Sequence, residues 1–166
     1  MSNITNLLDR ENFDFKVFQA AGKIAASLNY EAYAIGGYVR DAILGHPPSE
    51  EYTDIDITVR GDFMKFTKAL AQELNIKTIV PFEKFKTARL VEKTYQIEIA
   101  ETRIESYYKE SRKPLVESAT LEQDLLRRDF TINAIAMSLN QKNFGDIIDP
   151  LSGIKDLNKG IIMTPL

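Results

Sequence analysis

The 166-residue chain contains no cysteine. That excludes disulfides and thiolate metal sites among its residues. It contains one histidine, His46, too few for a His-built metal site or a His-based catalytic triad. No apolar run approaches ~18 residues, the length of a membrane-spanning helix, so no membrane partner is expected. The N-terminal stretch MSNITNLLDRENFDF lacks the basic-then-apolar pattern of a secretion signal, and a cytoplasmic location is the expectation. Positive charge is not in excess either. The net charge is −3, which does not fit a chain that is basic nucleic-acid binder throughout. No repeat or low-complexity tract appears.

What is present fits one soluble domain. The length suits a single domain with a sizeable core, and the apolar fraction of 44% is ordinary. Charge is unevenly spread. Residues 1–62 carry five Lys/Arg against ten Asp/Glu, whereas residues 84–128 carry ten against eight. The second segment can meet an anion, although a solvated mixed surface is the more common meaning of such a run.

Periodicity places the elements. Val17, Phe18, Ala21, Ile24, Ala25 and Leu28 recur at helical spacing, predicting a helix over 15–28 with Asp14 as its N-cap. Glu31 to Ile35 reads as a short buried strand. Gly36-Gly37 reads as a turn, Tyr38 to Leu44 as a short helix ended by Gly45, and residues 46–51 as a loop. Asp54 to Val59 alternates polar with apolar, the period of a half-buried strand. A second helix is predicted over 62–74, capped by Asp62. Thr87–Glu92 and Tyr95–Glu101 read as strands joined by a tight turn at Lys93-Thr94. Residues 103–119, polar and containing Pro114, read as an extended loop. Thr120 caps a helix through Arg127, with Gln123 at the capping-box position. Ile132–Leu139 is apolar, and Asp146–Ile148 is a strand that can pair with it. Pro150 and Gly153 frame a turn before a short helix near Asp156. GIIMTPL looks like the start of a further element. Strands interspersed with helices, several hairpin-linked, favour a mixed sheet in an α+β fold.

Four constellations carry chemistry. Asp54 and Asp56 are two apart on a strand, so both side chains leave the same face. Two adjacent carboxylates repel, and a hard cation such as Mg²⁺ relieves that repulsion through oxygen ligands. Alone, an Asp-x-Asp more often means a solvated strand face. Gly36-Gly37 lies between a strand and a helix, where missing side chains allow close backbone approach, and Arg40 one turn on can reach the same anion. Alone, a tight turn with Arg40 paired to Asp41 is the more common meaning. Glu98 shares the polar face of its strand; it is either a third carboxylate, acting as ligand or general base, or a solvent-facing glutamate. Arg127, Arg128, Asp129 and Asn133 group two guanidiniums, a carboxylate and an amide at a helix end. Guanidiniums suit phosphates, and Asp129 and Asn133 suit ribose hydroxyls. An Arg–Asp structural pair with an Asn cap explains them equally. His46, in a Pro-rich loop, reads as exposed and structural.

Taken together, GGYVRD, DID, RRDFTINA and IDPLSGIKDL resemble the head domain of bacterial tRNA nucleotidyltransferases. These are the CCA-adding enzymes and their poly(A) polymerase relatives, of the DNA polymerase β-like nucleotidyltransferase superfamily. The resemblance spans about residues 30–166. It implies the nucleotidyltransferase fold, a mixed, mostly antiparallel sheet backed by helices. Residues 1–29 are then an N-terminal helix packed on a head of residues 30–166, with the family's neck, body and tail absent.

The resemblance also implies roles. Gly36, Gly37 and Arg40 match a triphosphate-binding turn, and Asp54 and Asp56 match two metal-binding, catalytic aspartates. Arg128, Asp129 and Asn133, with Arg127 as neighbour, match a motif that contacts phosphates and ribose. Glu98 lies where related sequences carry an acidic strand residue. The implied reaction is metal-dependent transfer of NMP from ATP or CTP to the tRNA 3′-hydroxyl, with Mg²⁺ as cofactor and two ions sharing the work. A poly(A) polymerase or A-adding specialist shares these motifs, and a non-catalytic nucleotide- or RNA-binding module of the same fold is the reading from another class. Three departures stand out. The loop from Gly45 to Asp54 is long, Lys86 replaces a common glycine in Phe85-Lys86-Thr87-Ala88, and the chain ends at IIMTPL, where the family continues into helices that select the base and grip tRNA.

Overall fold

The computed structural model describes residues 2–46, 48, 51–106 and 115–165, with the backbone alone for 103–106 and 115–118. Five helices are described: α1 (Phe13–Leu28), α2 (Gly37–Ile43), α3 (Phe63–Leu74), α4 (Leu121–Leu126) and α5 (Gly153–Lys159). The strands are β1 (Glu31–Ile35), β2 (Thr53–Arg60), β3 (Thr78–Phe82), β4 (Thr87–Val91), β5 (Tyr95–Glu101), β6 (Arg103–Ser106), β7 (Leu115–Ser118), β8 (Ala136–Ser138) and β9 (Ile147–Ile148). Seven of them form one sheet in the order β3-β4-β5-β2-β1-β8-β9, while β6 and β7 pair separately. Only β2 and β5 run parallel; the other described pairings are antiparallel. The fold is therefore mixed, as the residue pattern predicts, and mostly antiparallel, as the family resemblance implies.

Alternation along β2 separates two chemistries. Ile55, Ile57 and Val59 are fully buried, and with Ile97 and Ile99 of β5 they face α1 and α3. Phe18, Ala21 and Ala25 of α1 and Phe66 and Leu70 of α3 complete that core. Each such large side chain removed from water contributes roughly 1.5–3 kcal/mol. The opposite face holds a smaller core under α4, built from Ile35, Leu121, Leu125, Ala134 and Ala136. Beside it the sheet stays open, and there Asp54 stands exposed and Asp56 half-buried.

Two helix starts follow their local sequence. Asp62 accepts from the Met64 and Lys65 N–H groups at 2.9 Å each. Thr120 and Gln123 form the reciprocal capping box. The predicted Asp14 cap is corrected: α1 begins at Phe13 behind Asn12. Asp14 is instead buried, accepting a hydrogen bond from the Tyr38 hydroxyl. A tertiary partner 24 residues away thus outcompetes the local capping geometry. The predicted loop over 103–119 is also corrected, since its ends pair as β6 and β7; residues 107–114, with Pro114, lie outside the described residues, as do Pro47, Ser49 and Glu50. β3 was not expected, because nearly all of its residues are exposed and no apolar alternation marks it. At Lys86 the backbone is left-handed, φ 52°, a conformation that favours glycine. Its ammonium stands 3.6 Å from Glu101.

The N-terminal segment clips onto the sheet edge. Ile4 is buried and donates its N–H to the Gly145 carbonyl at 2.9 Å, while Ile147 donates to the Ser2 carbonyl at 2.9 Å. Among the described residues no helix is long and apolar enough to cross a membrane.

Gly22 lets α1 touch the chain just past β8. A Cβ there would sit 2.1 Å from the Leu139 carbonyl oxygen. Alanine favours an exposed helix interior by about 1 kcal/mol over glycine, but overpacking against backbone costs about 1–3 kcal/mol. Gly22→Ala is therefore expected to destabilise by on the order of 1–2 kcal/mol in denaturant unfolding, despite its helix propensity.

Candidate functional site

The register of β1 on β2 builds the first part of the site. Ile35, the last residue of β1, lies opposite Asp56. The chain must turn there, and Gly36 takes φ 74°, accessible to glycine at little cost. A Cβ on Gly36 would come 3.5 Å from Asp56 Oδ2. The Gly-Gly turn and the carboxylate are thus in van der Waals reach because the strand ends where it does.

The parallel register of β5 on β2 builds the second part. Asp56 lies opposite Glu98, and Asp54 opposite Gln96. Asp54, Asp56 and Glu98 therefore share one face of the sheet. Glu98 is held by Arg89, with Nε 3.5 Å from its carboxylate. Burial first, then the negative charges of Glu98 and Asp54, partly offset by Arg128 and Arg89, together push the Asp56 carboxyl up to about 6. Metal-free, the carboxyl is thus half protonated near pH 6 and ionised above it.

The third part joins segments far apart in sequence. Arg40 Nε donates to Asp41 Oδ1 at 3.0 Å, and its Nη1 donates to Asn133 Oδ1 at 2.8 Å. Asn133 Nδ2 donates in turn to Asp129 Oδ1 at 3.2 Å, an oxygen that also accepts from the Phe130 N–H at 2.7 Å. GGYVRD and RRDFTINA are thereby one hydrogen-bonded unit. Asp41 indeed pairs with Arg40, as the plain structural meaning expects, but that bond occupies only one edge of the guanidinium.

Arg127 and Arg128 are anchored by Asp124, which the sequence reading passed over. Its carboxylate is 1% exposed and accepts from Arg127 Nη2 at 3.0 Å and Arg128 Nη2 at 3.1 Å. The i, i+3 and i, i+4 spacing was visible in Asp-Leu-Leu-Arg-Arg and is the signal that finds it. Arg128 Nε is buried and has no hydrogen-bond partner among the described residues.

A cavity of about 580 Å³ opens beside Asp54 and Asp56, within the size range of small-molecule sites. Its far wall, Leu7, Leu8, Asp9 and Asn12, belongs to the N-terminal segment, with Tyr38, Asp41 and His46 nearer the turn. That wall was also missed; the apolar Leu7-Leu8 pair was its one sequence sign. Among the described residues five aspartates line the cavity, namely Asp9, Asp14, Asp41, Asp54 and Asp56, and no lysine or arginine does. The cavity therefore suits cations and hydroxyl groups, whereas phosphates suit the guanidiniums of Arg40 and Arg128. His46 is exposed at its rim.

The donor set fits a hard divalent ion. Among the described residues no group of three or more His, Cys, Asp or Glu converges as a ready-made metal cage. Mg²⁺ does not need one, being held typically through one or two carboxylates, waters and substrate phosphates. Two adjacent carboxylates such as Asp54 and the half-buried Asp56 are the type of ligand an ion relieves.

The chain is similar to known proteins over most of its length. The chain is 40% identical over 131 residues to an A-adding tRNA nucleotidyltransferase of Aquifex aeolicus, covering 79% of this chain and 15% of that protein. It is 40% identical over 157 residues to a CCA-adding enzyme of Geobacillus thermodenitrificans, covering 89% of this chain and 34% of that protein. A solved CCA-adding enzyme in complex with ATP superposes with a TM-score of 0.81 at 35% identity, over 99% of this chain and 37% of that one. The chain thus spans well under half the length of these relatives. The family model described as the poly A polymerase head domain matches residues 32–163, and the chain belongs to that family.

Proposed function

We propose that this chain is the catalytic head of a tRNA nucleotidyltransferase, which transfers NMP from ATP or CTP to the 3′-hydroxyl of tRNA and releases pyrophosphate. The observation that carries the reading is the Arg40–Asn133 hydrogen bond of 2.8 Å. It ties the Gly-Gly turn to the arginine-rich segment, whose Arg128 charge is felt by the Asp56 carboxyl. The names of the relatives support the reaction, since they are CCA-adding and A-adding tRNA enzymes. A reaction on tRNA with ATP and CTP as donors belongs in the cytoplasm.

In this reading each group has one task. Gly36 and Gly37 let the triphosphate approach the backbone. Arg40 and Arg128 neutralise its charge, Arg128 with its Nε unpartnered among the described residues. Asp129 and Asn133, already joined, present an acceptor and a donor to ribose hydroxyls. Asp54 and Asp56 would hold Mg²⁺, and Glu98 stands beside them as an additional ligand or base. When bound, the ion supplies positive charge that favours the ionised acceptor hydroxyl and the departing pyrophosphate. The rest is positioning of the two reactants by the protein.

An A-adding specialist is the second reading, because relatives of both names match at 40% identity. Incubating the full chain with tRNA lacking its 3′ CCA, and with each NTP alone, separates the two. Incorporation of C first supports CCA addition; incorporation of A alone supports the specialist.

Three outcomes are expected. Asp54→Ala and Asp56→Ala lower Mg²⁺-dependent nucleotide binding and transfer more than about 100-fold. Unchanged Mg²⁺ and nucleotide binding in both, by calorimetry, would sink the catalytic reading and leave a non-catalytic module. Asn133→Ala frees one edge of Arg40 and removes a ribose contact. It is expected to raise KM for NTP about 10-fold, with little change in KM for RNA.

The third outcome concerns pH. The folded-state carboxyl of Asp56 lies near 6, above its ordinary 3.8, so the folded chain binds more protons than the unfolded one between those values. The metal-free chain consequently loses stability as pH rises from about 4 to 6, and the full penalty is present at pH 7. Asp56→Asn is expected to raise Tm at pH 7 in chelator, an advantage that vanishes near pH 4. A Tm at or below wild type at pH 7 would contradict the electrostatic account.

A further inference from the structure

The open face of the sheet continues past Glu98. Asp56 lies opposite Glu98, Glu98 opposite Arg89, and Arg89 opposite Val80. In-register neighbours share a face, so these residues form a row from the sheet centre to its edge strand β3. The Arg89 guanidinium, 3.5 Å from Glu98, also lies over the Phe82 ring at 5.2 Å from its centroid. Phe82 is therefore on the same face, diagonal to Arg89. With strands about 4.8 Å apart, the row from Asp56 to Val80 is about 14 Å long. Its outer end carries two partly exposed apolar side chains: Val80 is 38% and Phe82 37% exposed. The turn that follows adds Phe85, 54% exposed, with the Lys84 ammonium 5.9 Å from its ring. Pro81, on the edge strand, removes a backbone donor and discourages addition of another strand.

Exposed aromatic rings interleaved with cationic side chains, continuous with carboxylates suited to a metal, fit one occupant better than any other. We propose that this row is a docking track for the single-stranded 3′ end of the RNA acceptor. A base stacks on Phe82, Arg89 and Lys84 meet the backbone phosphates, and the terminal hydroxyl is led along the row towards Asp54 and Asp56. Stacking of this kind tolerates any base, since every base offers a π-face. The track rests on the nucleotidyl-transfer reading for its purpose, since that reaction needs a strand end at the aspartates.

The test measures two ligands separately on the full chain. Binding of a labelled single-stranded RNA with a free 3′-hydroxyl is followed by fluorescence anisotropy, and binding of ATP with Mg²⁺ by calorimetry. Phe82→Ala is expected to weaken RNA binding about fivefold or more, Phe82→Trp to retain it, and both to bind ATP–Mg²⁺ as wild type does. Equal RNA affinity in Phe82→Ala, an equal loss in Phe82→Trp, or no RNA binding by the wild type overturns the track. Altered self-association on sedimentation, with RNA binding unchanged, also overturns it and marks a protein interface instead. RNA binding that depends on Phe82 in a chain that fails to bind ATP–Mg²⁺ upholds the track and sinks the transfer reading.

Discussion

Everything at the site depends on the two-residue alternation of β2. Its odd positions, Ile55, Ile57 and Val59, are locked in the core under α1 and α3. Its even positions, Asp54 and Asp56, are thereby held on the other face. A one-residue slip would drive both carboxylates into the apolar core and expose the isoleucines, so hydrophobic burial sets the register of the charges. Because β2 is central, it passes that register to both neighbours. On one side β1 ends against Asp56 and puts Gly36 beside it. On the other, β5 runs parallel and brings Glu98 level with it.

This placement stores opposing charge on a small fold. Asp56 is pushed up to about 6 by burial and by its acidic neighbours, a local cost that an isolated chain bears without a ligand. Asp124 does the converse for the cations, gathering Arg127 and Arg128 around one buried carboxylate. Asn133, a neutral amide, links Arg40 to Asp129 without cancelling either charge. Such an arrangement fixes its charged groups in place without any ligand, the condition under which electrostatic stabilisation gains most over water. The overall charge of −3 hides this separation into an aspartate-lined cavity and an arginine cluster.

Much of the fold was legible because its causes are local. The β1 and β5 boundaries, the Asp62 cap and the Thr120–Gln123 capping box follow from interactions that close within a few residues or repeat every second one. The elements that escaped lack such a signal. β3 is an edge strand exposed along nearly its whole length; β6 and β7 are short and polar, and stand as strands only through each other. Asp14 looked like a cap and is a buried partner of Tyr38.

The sequence by itself determined which residues are available for chemistry: the aspartate pair and its shared face, the Gly-Gly turn, and the arginine-rich run. Only the tertiary structure decided that they lie near one another. The Arg40–Asn133 bond joins residues 93 apart, the Leu7–Leu8 wall is brought in by Ile4 clipping onto Gly145, and Phe82 meets Arg89 through strand register. Periodicity reports which way a side chain faces within its own element. Which other segment it meets there depends on strand order and register, and those are settled by burial of the whole core at once.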